Sequence, residues 1–330
     1  MTVVVRQDYG VEDLAKFEET TGTAIDFTMV PAWTRAAEVS RYGAGVRAAA
    51  FEDGVPIAFA QGITRTRHGF TTLSCGSNGG VGCLWAPDRK RAASDCIEDL
   101  ARRKSPSAVN IFANQDLALL GVSWEPAYTF EIDLTPGLDS IFGRMGKNAV
   151  KHARRAEKLG VSIRISESDS DIEAAYGLIE EASEARRFPL PPRAYSMALH
   201  REFGRAGHQA CVLALHDGQV VSAVSLIGHG RKVSWWKGGS TEEGYRASAG
   251  NLVQLAAIRW AKTRNATVYD LGGTDPRRQV YEGIHRFKSS LGGILVETRL
   301  GSRTSRLARL GLRALRAVRQ SRGVTEHVSA

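Results

Sequence analysis

The stretch YDLGGTDPRRQVYEGIHRFKSSLGG, residues 269–293, places Arg286 and Lys288 on either side of Phe287 and sets the three between two glycine pairs. Between the pairs runs a loop carrying Asp275, Arg277 and Arg278. A glycine has no Cβ to hold the backbone away from a ligand, so cations framed by glycines suit close approach of an anionic group. The sequence offers no Ser-His-Asp or Cys-His arrangement and no clustered carboxylates. That absence is consistent with chemistry by positioning and charge stabilisation rather than by attack of a side-chain nucleophile.

A second basic feature lies upstream. In RMGKNAVKHARRAEKLG, residues 144–160, a turn of about 100° per residue puts Arg144, Lys147, Lys151, Arg154, Arg155 and Lys158 within one arc of roughly 100°. Met145, Ala153 and Ala156 fall on the other side, and Glu157 points away from the cations. A solvated helix face is one reading, but such faces normally mix signs and gain from i,i+4 pairs. Cations alone repel one another unless a polyanion lies opposite, which is the second reading.

The elements that must position these residues follow from periodicity. Helical spacing covers 11–22, 91–104, 171–185 and 250–264. Residues 46–62 and 210–229 each give strand, Asp-Gly turn, strand, with the turns at 53–54 and 217–218. Further strands are expected at 232–238, in ATVYDLGG and at 294–298. GSNGGVG (76–82) lacks the Gly-Lys-Ser/Thr ending of a phosphate-binding loop and is expected to be a tight turn or a close backbone approach. The hairpins stand 164 residues apart, so one architecture is expected twice. Helix, Asp-Gly hairpin, strand, helix and strand describe an acyltransferase domain of the GNAT type. The expected fold class is α/β (α+β): two tandem GNAT-like domains with mixed sheets, over 1–143 and 144–300, plus a basic tail helix over 301–330.

The bulk composition agrees. The chain has 330 residues, 43% hydrophobic and 24% charged, which suits two soluble domains. No apolar run reaches the roughly 20 residues of a membrane span, and the first residues lack a signal-peptide pattern, so a cytoplasmic protein is expected. Cys75, Cys83, Cys96 and Cys211 have no metal-ligand spacing and are expected to be buried thiols. The net charge is +9, and seven arginines with one glutamate within 301–330 hold six of those charges. There the arginines recur at 303, 306, 309, 313, 316 and 319, with Leu307, Gly311, Ala314, Leu315 and Val318 on the opposite face and Leu312 out of place. Three readings stay open for this helix: packing on the first domain, docking on the inner membrane face, and contact with tRNA phosphates.

The closing motif YDLGG…GIHRFKSSLGG, with RWAK (259–262) before it and the basic RRAEKLGV (154–161), resembles the Fem family of aminoacyl transferases. Those enzymes move amino acids from aminoacyl-tRNA onto the peptide of a cell-wall precursor. The likeness is good over about 130–300 and weak over 1–130. It implies two GNAT-like domains side by side and an amine acceptor, either a peptidoglycan precursor or a small amine of a secondary-metabolite pathway. An aminoacyl ester is already activated, so no ATP, metal or other cofactor is expected, and DNA is not an expected partner. The resemblance implies Lys288 as the residue stabilising the oxyanion or the terminal phosphate. It implies Arg187, with Arg186 as substitute, and Arg35 as contacts to the acceptor. Tyr195 and Trp236 are expected to line the cleft, with Asn251 in the substrate site. Lys147, Lys151, Arg154, Arg155, Lys158 and Arg286 are expected to meet tRNA, and Arg286 also to reach Asp270. Phe287 is expected to pack inward, and His152 and His285 to be structural.

The chain departs from that family in having no long helical hairpin in its second domain, and in Gly250-Asn251 where Pro-Asn is common. Two rival readings remain. One is acyl-CoA-dependent N-acyl transfer, against which the pyrophosphate-loop segment RASAGN (246–251) is degenerate. The other is a non-catalytic module that docks on polyanions.

Overall fold

The structure, a computed structural model, describes residues 3–77, 80–186, 188, 190–305 and 308. The first half runs β1 (Val3–Arg6), α1 (Val11–Thr21), α2 (Pro31–Val39), β2 (Ala44–Glu52), β3 (Val55–Arg67), β4 (Phe70–Ser77), β5 (Gly80–Val81), β6 (Cys83–Trp85), α3 (Lys90–Lys104), β7 (Ala108–Ala113) and β8 (Ser123–Asp133). Two helices connect the halves, α4 (Leu138–Gly143) and α5 (Lys147–Lys158). The second half runs β9 (Ser162–Ser166), α6 (Asp169–Arg186), α7 (Arg193–Gly204), β10 (Gln209–His216), β11 (Gln219–His229), β12 (Lys232–Ser240), α8 (Glu242–Arg246), α9 (Ala249–Thr263), β13 (Val268–Gly273), α10 (Glu282–Ser290) and β14 (Ile294–Thr304).

The two halves repeat one pairing scheme. In the first, β1, β2, β3 and β4 pair antiparallel in turn, and β4 pairs parallel with β7. In the second, β9, β10, β11 and β12 pair antiparallel in turn, and β12 pairs parallel with β13. Each half then gives its last strand to the other. β8 follows β7 in sequence but pairs with β13, and β14 follows β13 but pairs with β7. β8 and β14 pair with each other at the centre, so one continuous sheet crosses both halves in the order β1-β2-β3-β4-β7-β14-β8-β13-β12-β11-β10-β9. The expected Asp-Gly hairpins are the turns β2–β3 and β10–β11. Asp53, Gly54, Asp217 and Gly218 all take positive φ, the conformation of a two-residue turn that matches strand twist.

Strand alternation assigns the helices to faces. Ala210, Val212 and Ala214 of β10 pack into the cluster that holds α5 and α9, whereas Cys211 and Leu213 pack with α6 and α7. In the first half Ala48 and Ala50 face α3, and Ala49 and Phe51 face α1 and α2. On that second face the halves share a core: Leu199 and Phe203 of α7 and Ile227 of β11 pack with Phe17, Phe27 and Trp33. Each fully buried side chain of this size contributes about 1.5–3 kcal/mol, so the two units are held together by their interior as well as by the sheet.

Two expectations need correction, and one helix was not expected. β14 runs to Thr304, because Gly301–Thr304 find backbone partners on β7. Arg303 is thus a strand residue bonded to Glu98 and to the carbonyl of Leu120, rather than the start of a helix. The remaining tail arginines lie outside the described residues. The basic helix begins at Lys147, capped by an extended Gly146, and Arg144 sits in the turn before it, 3.9 Å from Asp133. The Arg286-Phe287-Lys288 trio lies on α10, an element the glycine framing had concealed.

Candidate functional site

β12 and β13 pair only from Lys232↔Val268 to Ser234↔Asp270, although β12 continues to Ser240 and β13 to Gly273. Two parallel strands that part in this way leave backbone groups on their facing sides without a strand partner. Lys288 reaches this point from α10. Its Nζ donates to the carbonyls of Gly272 (2.7 Å) and Gly273 (3.3 Å) and lies 5.6 Å from the ring centroid of Trp235. Gly272 holds φ +82°, and a Cβ there would stand 3.4 Å from the Trp235 carbonyl and 3.8 Å from the Lys288 ammonium.

Lys288 is 4% exposed. Burial lowers its pKa to about 8, with Asp270 pulling upward and Lys237 pushing further down. Two of the three ammonium protons are engaged by carbonyls, which leaves one for a ligand. Phe287 packs edge-on to Trp235 with ring centroids 6.3 Å apart, against the core cluster of α9, in line with the expected inward packing.

Behind Lys288 lies a buried ionic cluster that the sequence did not disclose. Lys232 Nζ meets Asp26 at 3.0 Å, Glu131 at 2.8 Å and Asp270 at 3.1 Å. Asp270 also accepts from Thr129 Oγ1 (2.5 Å) and from the Gly272 amide (2.7 Å). Burial opposes the charge on Lys232, yet the three carboxylates outweigh it and hold the pKa well above the ordinary range. Burial pushes the Asp26 carboxyl up against the pull of Lys232. One ammonium shared by three carboxylates leaves the cluster short of positive charge, and Lys288 is the next cation along. Asp270 thus fixes the Gly272 turn and faces Lys288 electrostatically. The expected Arg286–Asp270 pair does not form: Lys232 occupies Asp270, and the exposed Arg286 pairs with Glu282 one turn back.

The basic face adjoins this site through the end of α10. The amide of Gly146, the residue before Lys147, donates to the carbonyl of Ser290 (2.9 Å), two residues past Lys288. Along α5, Ala149, Ala153 and Ala156 are buried, and Lys147, Lys151, Arg154, Arg155 and Lys158 are all exposed. Among the described residues none of these five has an acidic side chain within ion-pairing distance. His152 meets the Ser248 hydroxyl at 3.2 Å, and His285 stands edge-on to Phe130.

The equivalent position of the first half is filled. β4 and β7 pair from Thr72↔Ala108 to Cys75↔Ile111, but the chain then returns between them. Gly82 donates its amide to the Phe112 carbonyl (2.8 Å), and its own carbonyl accepts from the Gln61 amide (3.0 Å). A Cβ on Gly82 would lie 2.1 Å from the carbonyl carbon of Cys75, so only glycine fits. This accounts for GSNGGVG as close backbone approach and leaves the second half with the open strand pair.

The other expected site residues are dispersed. Arg35 is exposed and pairs with the buried Glu202 at 3.5 Å, bridging α2 and α7. Tyr195 does not line a cleft. It is 2% exposed and stacks on Tyr42 at 4.5 Å, because α7 needs an apolar face against α2. Trp236 lines a cavity under α6 and α7 and packs against Phe27. Asn251 is half-buried in the first turn of α9. Arg187 lies outside the described residues. Sequence reasoning missed Lys232, Glu131 and Asp26, which have no local signature, and Lys237, whose signal was its place in the run WWKGG.

Residues 143–289 match the family model described as an acetyltransferase (GNAT) domain, a span that holds α5, the parting strands and Lys288. Of solved structures, FemX superposes with a TM-score of 0.71 at 15% identity, covering 90% of this chain and 96% of that one. The fold is Fem-like. A tandem GNAT protein from the clavulanic acid biosynthesis pathway gives 0.55 at 12% identity over 92% and 98% of the two chains. The L-PGS of Bacillus licheniformis gives 0.54 at 12% over 91% and 95%. Comparison of the sequence with curated proteins finds no match. The expected doubled GNAT-like architecture is thereby shown. Among the described residues no helix is long and apolar enough to cross a membrane.

Proposed function

We propose that this acyltransferase fold moves an aminoacyl group from aminoacyl-tRNA to an amine. The observation that carries the reading is the partnership of Lys288 with the uncompensated cations of α5, joined through Gly146 and Ser290. A donor that presents an acyl ester at the end of a polyanion fits both halves of that arrangement. The neutral acceptor amine attacks the ester carbonyl, the C–N bond forms, and the C–O bond to the ribose breaks. The amine proton leaves with the ribose oxygen. The remaining ammonium proton of Lys288 stabilises the carbonyl oxygen while it carries negative charge. Position and charge suffice for this step, and it draws on no ATP, metal or cofactor. The resemblance of the closing motif to the Fem family, together with the superposition on FemX, supports a tRNA-linked donor.

Acyl transfer from a CoA thioester is the second reading, favoured by the GNAT description of the matched family model. The experiment that decides is incubation of the purified protein with an amine panel and either charged tRNA or acyl-CoA. Transfer that ribonuclease abolishes supports the first reading, and transfer from acyl-CoA alone overturns it.

A further inference from the structure

Trp236 and Lys237 follow one another on β12 and both line the cavity beneath α6 and α7. Consecutive residues of a regular strand face opposite ways. Here the register between β11 and β12 slips, with Ser225 opposite Lys237 and Leu226 opposite Trp235, so Trp236 is the extra residue of a bulge. Bulges re-aim side chains and recur beside functional sites.

The cavity is unusual in its charge. Its lining holds Lys237 but no aspartate or glutamate. Among the described residues Lys237 has neither a hydrogen bond nor an ion pair. It lies 5.3 Å from the ring centroid of Trp236, and its charge repels that of Lys288. Lys237 is half-buried, with its ammonium drawn in beside the cavity, and a lysine so placed gains from a counter-ion. Burial lowers the pKa of this one, as expected of a cation with no counter-ion. Beside it, the indole Nε1 of Trp236 is buried and has no acceptor. Two neighbouring donors thus lack acceptors at a cavity that supplies no carboxylate. The free volume is about 20 Å³, room for about one water. One oxygen of a carboxylate takes that water's place.

The cavity lies on the α6–α7 face, opposite the face that carries the α5 cations. It is also the face on which α7 packs against the first half. A donor held by α5 and Lys288 leaves this side for the acceptor. We propose that Lys237, with the Trp236 indole, binds a carboxylate on the amine acceptor, so that the acceptor is an amino acid or a peptide presenting a carboxylate near its amine. The inference rests on the acyl-transfer reading but not on the identity of the donor.

The test compares pairs of acceptors that share one amine, as free acid and as methyl ester, together with an aminoalkyl phosphate. Competent donor, tRNA or acyl-CoA, is supplied at saturation. A charge-assisted hydrogen bond of about 1.5–3 kcal/mol corresponds to a preference for the acid of roughly 10- to 100-fold in kcat/KM, carried by KM. Lys237→Met should bring the acid-to-ester ratio to about one, Lys237→Arg should retain most of it, and Trp236→Phe should reduce it in part. Because the readout is a ratio within one protein, a loss of folded material cancels. Calorimetric binding of the free acid without donor repeats the comparison independently of transfer, so a wrong donor assignment and a wrong acceptor assignment are told apart. A wild-type ratio near one, equal use of the phosphate, or an unchanged ratio in Lys237→Met would each overturn the proposal.

Discussion

Replacing Lys288 by Met should make the protein more stable and nearly inactive, and the two effects come from the same burial. With the pKa at about 8 against an ordinary 10.5, the charged form is disfavoured in the folded state by about 3 kcal/mol at about 1.4 kcal/mol per pKa unit. Met fills similar volume without charge, but it leaves the carbonyls of Gly272 and Gly273 without the donor they share. That loss costs roughly 1–2 kcal/mol, so the net gain in unfolding free energy is about 1–2 kcal/mol. The pH dependence carries a sign of its own. Below about pH 8 the lysine is protonated in both states and the penalty is complete. Between about 8 and 10.5 the unfolded chain still binds the proton and the folded chain does not, so wild-type stability rises with pH across that window. The Met variant should lack this rise. Activity should move the other way: loss of one oxyanion donor lowers kcat by roughly 100- to 1000-fold. In the wild type the rate should fall as pH climbs through about 8, a limb absent from the residual activity of the variant. Denaturant titrations at pH 7 and pH 10, with single-turnover transfer assays, measure all of this. A variant destabilised by more than about 2 kcal/mol that still turns over normally would mean that Lys288 is a structural strut with no part in catalysis.

Lys232→Met should destabilise by about 3–5 kcal/mol, since it leaves Asp26, Glu131 and Asp270 facing one another without a cation; the loss should shrink as pH falls, because burial raises the Asp26 pKa and its protonation removes one of the facing charges, and an unchanged denaturation midpoint would count against the cluster. Changing Lys151, Arg154 and Arg155 together to Gln should weaken tRNA binding and make its salt dependence shallower by about 0.7–0.9 for each phosphate no longer neutralised, while acyl-CoA binding stays as it was; a slope that does not move would remove α5 from the tRNA surface. Gly82→Ala should cost several kcal/mol, because its Cβ would stand 2.1 Å from the Cys75 backbone; a melting temperature equal to wild type would show that the first-half strands can part after all.

The doubled architecture was legible because its signals are local. Asp-Gly at 53–54 and 217–218 dictates a turn wherever alternating apolar residues flank it, and the α3, α6 and α9 spacings lie within single helices. The glycine pairs signalled close backbone approach, which the contact of Lys288 with the Gly272 and Gly273 carbonyls bears out, but they gave no sign of the helix that carries the lysine. The ionic cluster was not, because Asp26, Glu131, Lys232 and Asp270 meet only once strands from both halves are paired. Tyr195 was misread for the same reason: a tyrosine suits a cleft or a core equally, and only the approach of α2 to α7 decides. Arg303 continued a helical arginine period while its backbone belonged to a strand, so tertiary pairing overrode the pattern.

The exchange of last strands explains why a site in one half depends on residues from the other. β13 presents Asp270 and Gly272 to the site, and its neighbour in the sheet is β8, which grew from the first half. Thr129 and Glu131 on β8 therefore reach Asp270 and Lys232 across a boundary that sequence places between domains. Asp26 arrives from the first half as well, through the loop before α2. The carbonyls that grip Lys288 are thus set by a turn fixed through Asp270, which is itself fixed by groups from both halves. A second half produced alone would keep α10 and Lys288 but lose Thr129, Glu131 and Asp26. Lys232 would then have Asp270 as its one remaining carboxylate partner, and the β13 edge would be bare. Both units are needed to build this one cluster, even though only the second unit keeps its parallel strand pair open beyond the paired residues.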